Sequence, residues 1–419
     1  MNGVARTRSW LFVAPSLIVL GWGGNQFLPL MQYYRLVEGF SQVQVNILLG
    51  AYVFGIVPGF ALSGGWSDRY GRRPVLIAGL VLGILGSIVL ATSSSSFTGL
   101  CVGRFVCGLS VAAGMVVGTS WIKELSIAEG RSAAGARRAA GMLTIGFGGG
   151  AGIGGALAQW APWPAVLPYL VQIGACVVAL IVLLWASETR RFDPSAKRLL
   201  GNLRVPRSAR STFFRVIVPL APWVFAAPAL SFTVGPSLVS DRLPGFTVGF
   251  ATVVTVITLG TGWVTQFFSG HLAKYLRGRM GLVGGSLIAV GALLLIPAAL
   301  SQQVWIVLVA APVFGAGYGL AMVSGLATAQ SLATPDDLAG ITAAYYSLTY
   351  LGFLLPATLA ALTAFAPMWI LLGATAAACA LCTALAARAM RRSSAGTGTA
   401  SADGSVPPRA AGARLPRRA

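Results

Sequence analysis

The sequence predicts an all-α integral membrane protein of twelve transmembrane helices in two pseudo-symmetric six-helix halves. Four observations predict it. Of 419 residues, 56% are hydrophobic and only 10% charged, whereas soluble domains carry about 25% charged residues. Mean hydropathy is +0.78. Apolar runs of about 20 residues, enough to cross a bilayer, recur along the chain. The basic residues punctuate those runs on alternate turns.

The spans fall at roughly 10–30, 42–65, 74–92, 98–121, 141–160, 166–187, 214–236, 246–270, 281–300, 304–328, 338–363 and 367–388. Arg6 and Arg8 precede the first run, as in a leader, but no small-residue cleavage site follows, so it reads as a retained span. With the N-terminus inside, 27 of the 30 Lys and Arg fall on the cytoplasmic side, and only Arg35 and Arg242 fall outside. The positive-inside bias therefore places both termini in the cytoplasm of a multi-pass plasma-membrane protein. This yields a half at 1–187, a basic linker at 188–213, a second half at 214–388 and a polar tail at 389–419, too poor in apolar residues to bury a core and expected to be disordered.

The net charge of +20 would suggest nucleic acid in a soluble protein. Here the arginines sit between apolar runs, where topology and anionic lipid explain them, so no nucleic-acid partner is expected. The five cysteines lie inside apolar runs, and Cys379-x-x-Cys382 lacks a second ligand pair; His271 is the only histidine. No metal site is expected. No phosphate-binding G-x-x-x-x-G-K-[ST] occurs, and Ser120-x-x-Lys123 lacks the motifs that accompany a serine nucleophile. The chain reads as a non-enzyme without cofactors, acting as a monomer on a small molecule within the bilayer.

One stretch organises the rest. GGWSDRYGRRPVL, residues 64–76, makes a tight basic turn between the second and third spans. Its Gly64, Trp66, Asp68, Arg69, Gly71, Arg72 and Arg73 resemble the loop 2–3 signature of the major facilitator superfamily, G-x-L-a-D-r-x-G-r-k, with Trp66 replacing leucine. The resemblance implies a twelve-helix secondary transporter that rocks two halves about a central site. After the eighth span, Gly270-His271-Leu272-Ala273 and Gly278-Arg279 form a degraded copy, with Lys274 in the acid's place. Two similarly placed signatures fit a duplicated architecture.

Arg104 is the one ionisable residue deep inside a span, where an unpaired charge costs about 3 kcal/mol or more. Leu100, Arg104, Gly108 and Ala112-Ala113 resemble the superfamily's fourth-helix motif, whose arginine is associated with proton transfer or conformational coupling. A structural arginine tied to backbone carbonyls is the other reading, and the sequence leaves both open. In the fifth span Gly141, Gly150, Ala151, Gly154 and Gly155 resemble the antiporter signature g-x8-G-P-x-x-G-G, with Ala151 replacing proline. That resemblance implies proton-coupled export; glycine-mediated packing is the alternative.

The fold implies a central cavity near the midplane, with Asn25, Gln26, Trp223, Tyr318, Tyr345 and Tyr346 as candidate lining residues. All ten acids fall in loops, tails or helix ends, so a neutral or anionic, largely apolar substrate is expected, and Asp68 or Glu38 is the candidate titrating group. Asp336 and Asp337 face the basic turn in charge sign, either pairing with Arg69, Arg72 or Arg73 across the halves or capping a helix behind Thr334 and Pro335. Import of a metabolite, or a non-transporting sensor or enzyme, are the competing functions.

Overall fold

The computed structural model describes residues 8–190, 192, 205, 209–276, 278–332 and 338–400. The described residues form helices and turns only. We number the membrane helices α1 (Ser9–Leu36), α2 (Gln42–Tyr70), α3 (Arg72–Thr92), α4 (Phe97–Ala128), α5 (Ser132–Trp160) and α6 (Leu167–Leu183) in the first half. The second half holds α7 (Arg210–Leu238), α8 (Thr247–Phe267), α9 (Met280–Ser301), α10 (Val304–Ser331), α11 (Gly340–Leu362) and α12 (Met368–Ala400). Eleven are long and apolar enough to cross a membrane, and α6 is a shorter apolar helix.

The departures from the expected spans are local. Helix α6 stops at Leu183 rather than 187, because the chain beyond it unwinds to reach the α2–α3 turn. Helix α12 continues to Ala400, so residues 389–400, expected within a disordered tail, are helical. Most of the linker expected at 188–213 lies outside the described residues, and α7 already begins at Arg210.

Close approach of helices is built on glycine. A Cβ on Gly55 would collide with the Phe105 carbonyl, and one on Gly108 with the Tyr52 carbonyl, so α2 and α4 touch backbone to backbone. The second half repeats this contact. Gly315 of α10 abuts the Thr258 carbonyl of α8, and Gly319 sits 2.6 Å (to a built Cβ) from the Gly262 carbonyl. Likewise Gly79 of α3 packs on Ala113 of α4, and Gly284 of α9 on Ala321 of α10. Helix α5 closes on α1 through Gly146 and Gly150, as α11 closes on α7 through Gly352. The pseudo-symmetry thus shows as repeated contacts, not merely as repeated hydropathy. Where lipid removes the hydrophobic drive between helices, such van der Waals seams hold a bundle together.

The two tight turns also correspond. Gly71 has φ +97° between α2 and α3, and Gly278 has φ +76° before α9. Only glycine adopts that region without strain. We call the end of the bundle carrying these turns the basic end.

The halves meet mainly at the other end. There Asn46 Nδ2 donates to the Pro356 carbonyl at 2.9 Å, and Gln159 Nε2 to the Gly245 carbonyl at 2.8 Å. Gln159 Oε1 accepts from the Gly249 amide at 2.7 Å, and Arg35 reaches Ser240 Oγ at 3.3 Å. The structure is therefore closed opposite the basic end.

The glycine seams give a direct comparison. Gly108→Ala is expected to destabilise the protein by about 1–3 kcal/mol through overpacking. Gly141→Ala, whose Cβ would meet nothing within 4 Å, is expected to be nearly neutral. Unfolding temperatures of the two variants in one detergent check this; equal shifts would contradict it.

Candidate functional site

The α2–α3 turn is held by a charge network that the first half makes with the start of the chain leaving α6. Arg72 donates from Nη2 to Glu124 Oε1 at 2.7 Å and from Nε to Glu124 Oε2 at 3.2 Å, a two-point grip from the end of α4. Its Nη1 donates to Ser67 Oγ at 2.6 Å and to Asp68 Oδ1 at 3.3 Å. Such forked arginine–carboxylate contacts are the strong ones. Asp68 itself is half exposed and takes a second, longer contact from Arg190 at 3.6 Å.

Glu188 supplies the other anchor. Its carboxylate accepts the backbone amides of Arg72 at 3.1 Å and Arg73 at 2.8 Å, at the N-terminus of α3. It also accepts those of Thr189 at 2.9 Å and Arg190 at 3.0 Å. A carboxylate on the free amides of a helix start satisfies donors that have no intrahelical partner. Arg73 donates to the Ala186 carbonyl, so the chain leaving α6 is stapled across α3. Arg69 lies over the Tyr70 ring at 5.5 Å and joins neither carboxylate. Gly64 meets only Val116, at 3.8 Å from a built Cβ.

Sequence reasoning singled out Asp68 and missed Glu124 and Glu188. They lie 52 and 116 residues from Arg72, and neither sits in the turn motif. Asp336 and Asp337, expected opposite this turn, lie outside the described residues together with Thr334 and Pro335.

Arg104 is fully buried in α4. Its guanidinium lies 4.5 Å from the Phe27 ring of α1 and 4.4 Å from the Tyr52 ring of α2. Nε donates to the Leu48 carbonyl at 3.4 Å and Nη1 to the Gly24 carbonyl at 3.5 Å. No ion pair with Arg104 occurs among the described residues. Two aromatic faces and two long carbonyl contacts thus carry the charge, and they join three helices of one half. Glu38, the other candidate for responding to Arg104, is half-buried beyond the end of α1.

Between the halves lies a layer of aromatic rings. Phe225 of α7 is 4.5 Å from Tyr350 of α11, 4.9 Å from Phe353 and 5.7 Å from Tyr318 of α10. From the first half, Tyr52 and Phe60 of α2 meet Tyr350 at 6.3 and 5.7 Å, and Phe60 meets Tyr346 at 5.9 Å. The Tyr350 hydroxyl lies 3.3 Å from Met115 Sδ of α4. This layer is apolar with phenol edges and holds no carboxylate. Tyr52 has Arg104 on one side and Tyr350 on the other, so it screens the cation from the layer.

Of the expected lining residues, Tyr318 and Tyr346 join this layer. Tyr345 is buried within the second half, its hydroxyl on the Met322 carbonyl at 3.1 Å. Trp223 packs at the edge of the core of the same half. Gln26 is buried against Gly154 and accepts from Trp22 Nε1 at 2.9 Å; Asn25 beside it is half-buried. Phe60, Phe225 and Tyr350 were missed because a phenyl ring in a wholly apolar helix carries no mark of the face it occupies.

The glycines of α5 divide their work. Gly150 packs on Trp22 of α1 and Gly154 on Gln26, within the first half. Gly155 alone of the expected set crosses to the second half, onto Thr252 of α8; Gly141 meets nothing within 4 Å.

The network geometry ranks its members. Glu124→Gln leaves a nearly buried guanidinium without its forked partner, and a loss of about 1–3 kcal/mol is expected. Asp68→Asn removes an exposed contact, expected to contribute less than about 1 kcal/mol. Unfolding temperatures of both variants check the order, and the reverse order would contradict it.

Comparison with known proteins agrees with this architecture. The family model described as Major Facilitator Superfamily matches residues 11–357. A Pseudomonas aeruginosa protein named chloramphenicol resistance protein is 26% identical over 81% of this chain and 80% of its own length. A Staphylococcus aureus (strain bovine RF122 / ET3-1) protein named quinolone resistance protein NorB is 31% identical over 43% of this chain and 36% of its own. Among solved structures, a POT family transporter in complex with 5-aminolevulinic acid superposes with a TM-score of 0.69 at 13% identity. It covers 90% of this chain and 94% of that one. The nucleoside transporter NupG gives 0.69 at 12%, covering 90% and 98%. With a matching family model along most of its length and twelve helices packed as two repeated halves, the chain belongs to the major facilitator superfamily.

Proposed function

We propose that this protein exports small, largely apolar compounds, neutral or anionic, in exchange for protons across the plasma membrane. The observation that carries the reading is the aromatic layer between the halves, which presents rings, four phenols and a thioether and no carboxylate. An organic cation would meet ring faces but no carboxylate there, and the Arg104 guanidinium, which already occupies the far face of Tyr52, repels it in a low-dielectric site. Uncharged rings, in contrast, stack on rings at about 0.5–1.5 kcal/mol per pair beyond burial. The names of the Pseudomonas and Staphylococcus relatives support efflux, and the α5 glycine pattern supports the antiporter branch.

Rocking the halves supplies alternating access. Closure opposite the basic end rests on few bonds, while each half is sewn internally by glycine seams. Each half therefore moves as one body. No carboxylate lies in the aromatic layer, so proton linkage falls to helix-end acids; Asp68 and Glu38 are joined as candidates by Glu124, whose carboxylate would release Arg72 on protonation.

Counterflow in proteoliposomes, with and without an imposed pH gradient, tests the reading. Saturable, gradient-driven transport of a neutral aromatic compound is expected, and Phe225→Leu is expected to raise its KM roughly 2- to 10-fold through the lost stack. Equal transport with the gradient collapsed would remove the proton from the scheme. Saturable transport of a permanent cation would remove the substrate class.

A further inference from the structure

The two halves are not equally filled. The close contacts fix their register: Gly108 of α4 on the Tyr52 carbonyl corresponds to Gly315 of α10 on the Thr258 carbonyl. Carried towards the basic end, that register pairs Val117 and Trp121 of α4 with Ser324 and Thr328 of α10. It pairs Leu76 of α3 with Gly281 of α9, in step with Gly79 and Gly284. In the first half Val117, Trp121 and Leu76 are fully buried in one apolar cluster. Trp121 is among the largest fully buried side chains in the protein, and its indole N–H donates to the Ser187 carbonyl at 3.0 Å.

In the second half the three large residues are replaced by a serine, a threonine and a glycine. The space they would fill is a cavity of about 440 Å³. Thr328, Ser324 and Gly281 all line it, with Leu220 and Val224 of α7 and Leu282 of α9 forming its apolar wall. Every lining residue belongs to the second half, and none of them carries a charge. The volume lies within the roughly 300–1,000 Å³ of small-molecule sites.

We propose that this cavity is a binding site for an uncharged aromatic small molecule, of the size of indole or a fused two-ring compound, separate from the layer between the halves. The first half supplies the argument for the ligand's chemistry. There the corresponding space is taken by a covalently attached indole with one polar edge. In the second half the walls are apolar and the hydroxyls of Ser324 and Thr328 offer hydrogen bonds at one side. A ligand there lies against Tyr345, whose ring is 5.8 Å from Tyr346, which in turn meets Phe60 of the other half at 5.9 Å. The site is thus one ring removed from the surface on which the halves move. The inference rests on the fold and its internal repeat, and it stands or falls independently of the transported substrate.

The test uses the full chain in lipid nanodiscs, with indole as the probe and the unfolding temperature as the readout. Indole is expected to raise the unfolding temperature of the wild type saturably. Thr328→Trp refills the cavity as Trp121 fills its counterpart, and is expected to weaken the apparent indole affinity at least tenfold. Leu220→Trp fills the same space from α7 and serves if Thr328→Trp does not fold. Phe225→Leu, in the layer between the halves, is expected to keep the wild-type response. No indole response in the wild type, the same response in the filled variants, or its loss in Phe225→Leu would each overturn the proposal. A lipid that co-purifies with the wild type, is absent from the filled variants and blocks any indole response would assign the cavity to an acyl chain and overturn it equally.

Discussion

A bilayer interior offers no water to satisfy a polar group and no hydrophobic drive to press one helix on another. The glycine seams answer the second condition. Backbone contact at Gly55 and Gly108, and again at Gly315 and Gly319, lets α2 meet α4 and α8 meet α10 with no side chain between them. Dispersion between atoms at such range is small per pair and large in sum. Everything else depends on those close pairs: they carry Tyr52 and Phe60 on α2 and Tyr318 on α10 into the layer between the halves, and they pack each half as one body.

Arg104 answers the first condition. A lone guanidinium in a span requires compensation from within the bundle, and here two ring faces and two carbonyls supply it. The sequence left open whether this arginine couples to transport or ties helices together. Its contacts join α1, α2 and α4, and Tyr52 stands between it and the aromatic layer. A movement of Tyr52 would therefore reach Arg104 directly, since its ring lies against the guanidinium on one side and Tyr350 on the other.

Twelve apolar runs, one basic turn and its degraded copy after the eighth run made the architecture legible in the sequence. The turn motif also pointed to Arg72 and Asp68, which do meet. What the sequence did not reveal is long-range. Glu124 ends one helix and Glu188 follows another, and nothing in their neighbours marks them as the anions that hold Arg72 and the start of α3. Aromatic residues posed the opposite difficulty, since they are plentiful and the spans are apolar all round. With no polar face to break the helical symmetry, Tyr346 and Tyr345 look alike in sequence, yet one faces the other half and its neighbour is buried in its own.

The placement of polar contacts also says which bonds the proposed rocking of the halves would break. The Arg72 network and the Arg138–Glu129 pair, 3.0 Å apart, lie wholly within the first half, so rocking leaves them intact. The bonds that must break are those between the halves. Gln159 sits at an exposed rim, where water replaces the Gly245 carbonyl at little net cost. Asn46 is buried, and its bond to Pro356 contributes roughly 0.5–1.5 kcal/mol net. A difference of about 1.4 kcal/mol changes a two-state ratio tenfold, so the Asn46 bond alone would shift such a ratio severalfold. Ion pairs fix the shape of the first half, and at this end the halves are tied by a few hydrogen bonds, one of them from the Arg35 guanidinium, and by the packing of Gly155 on Thr252.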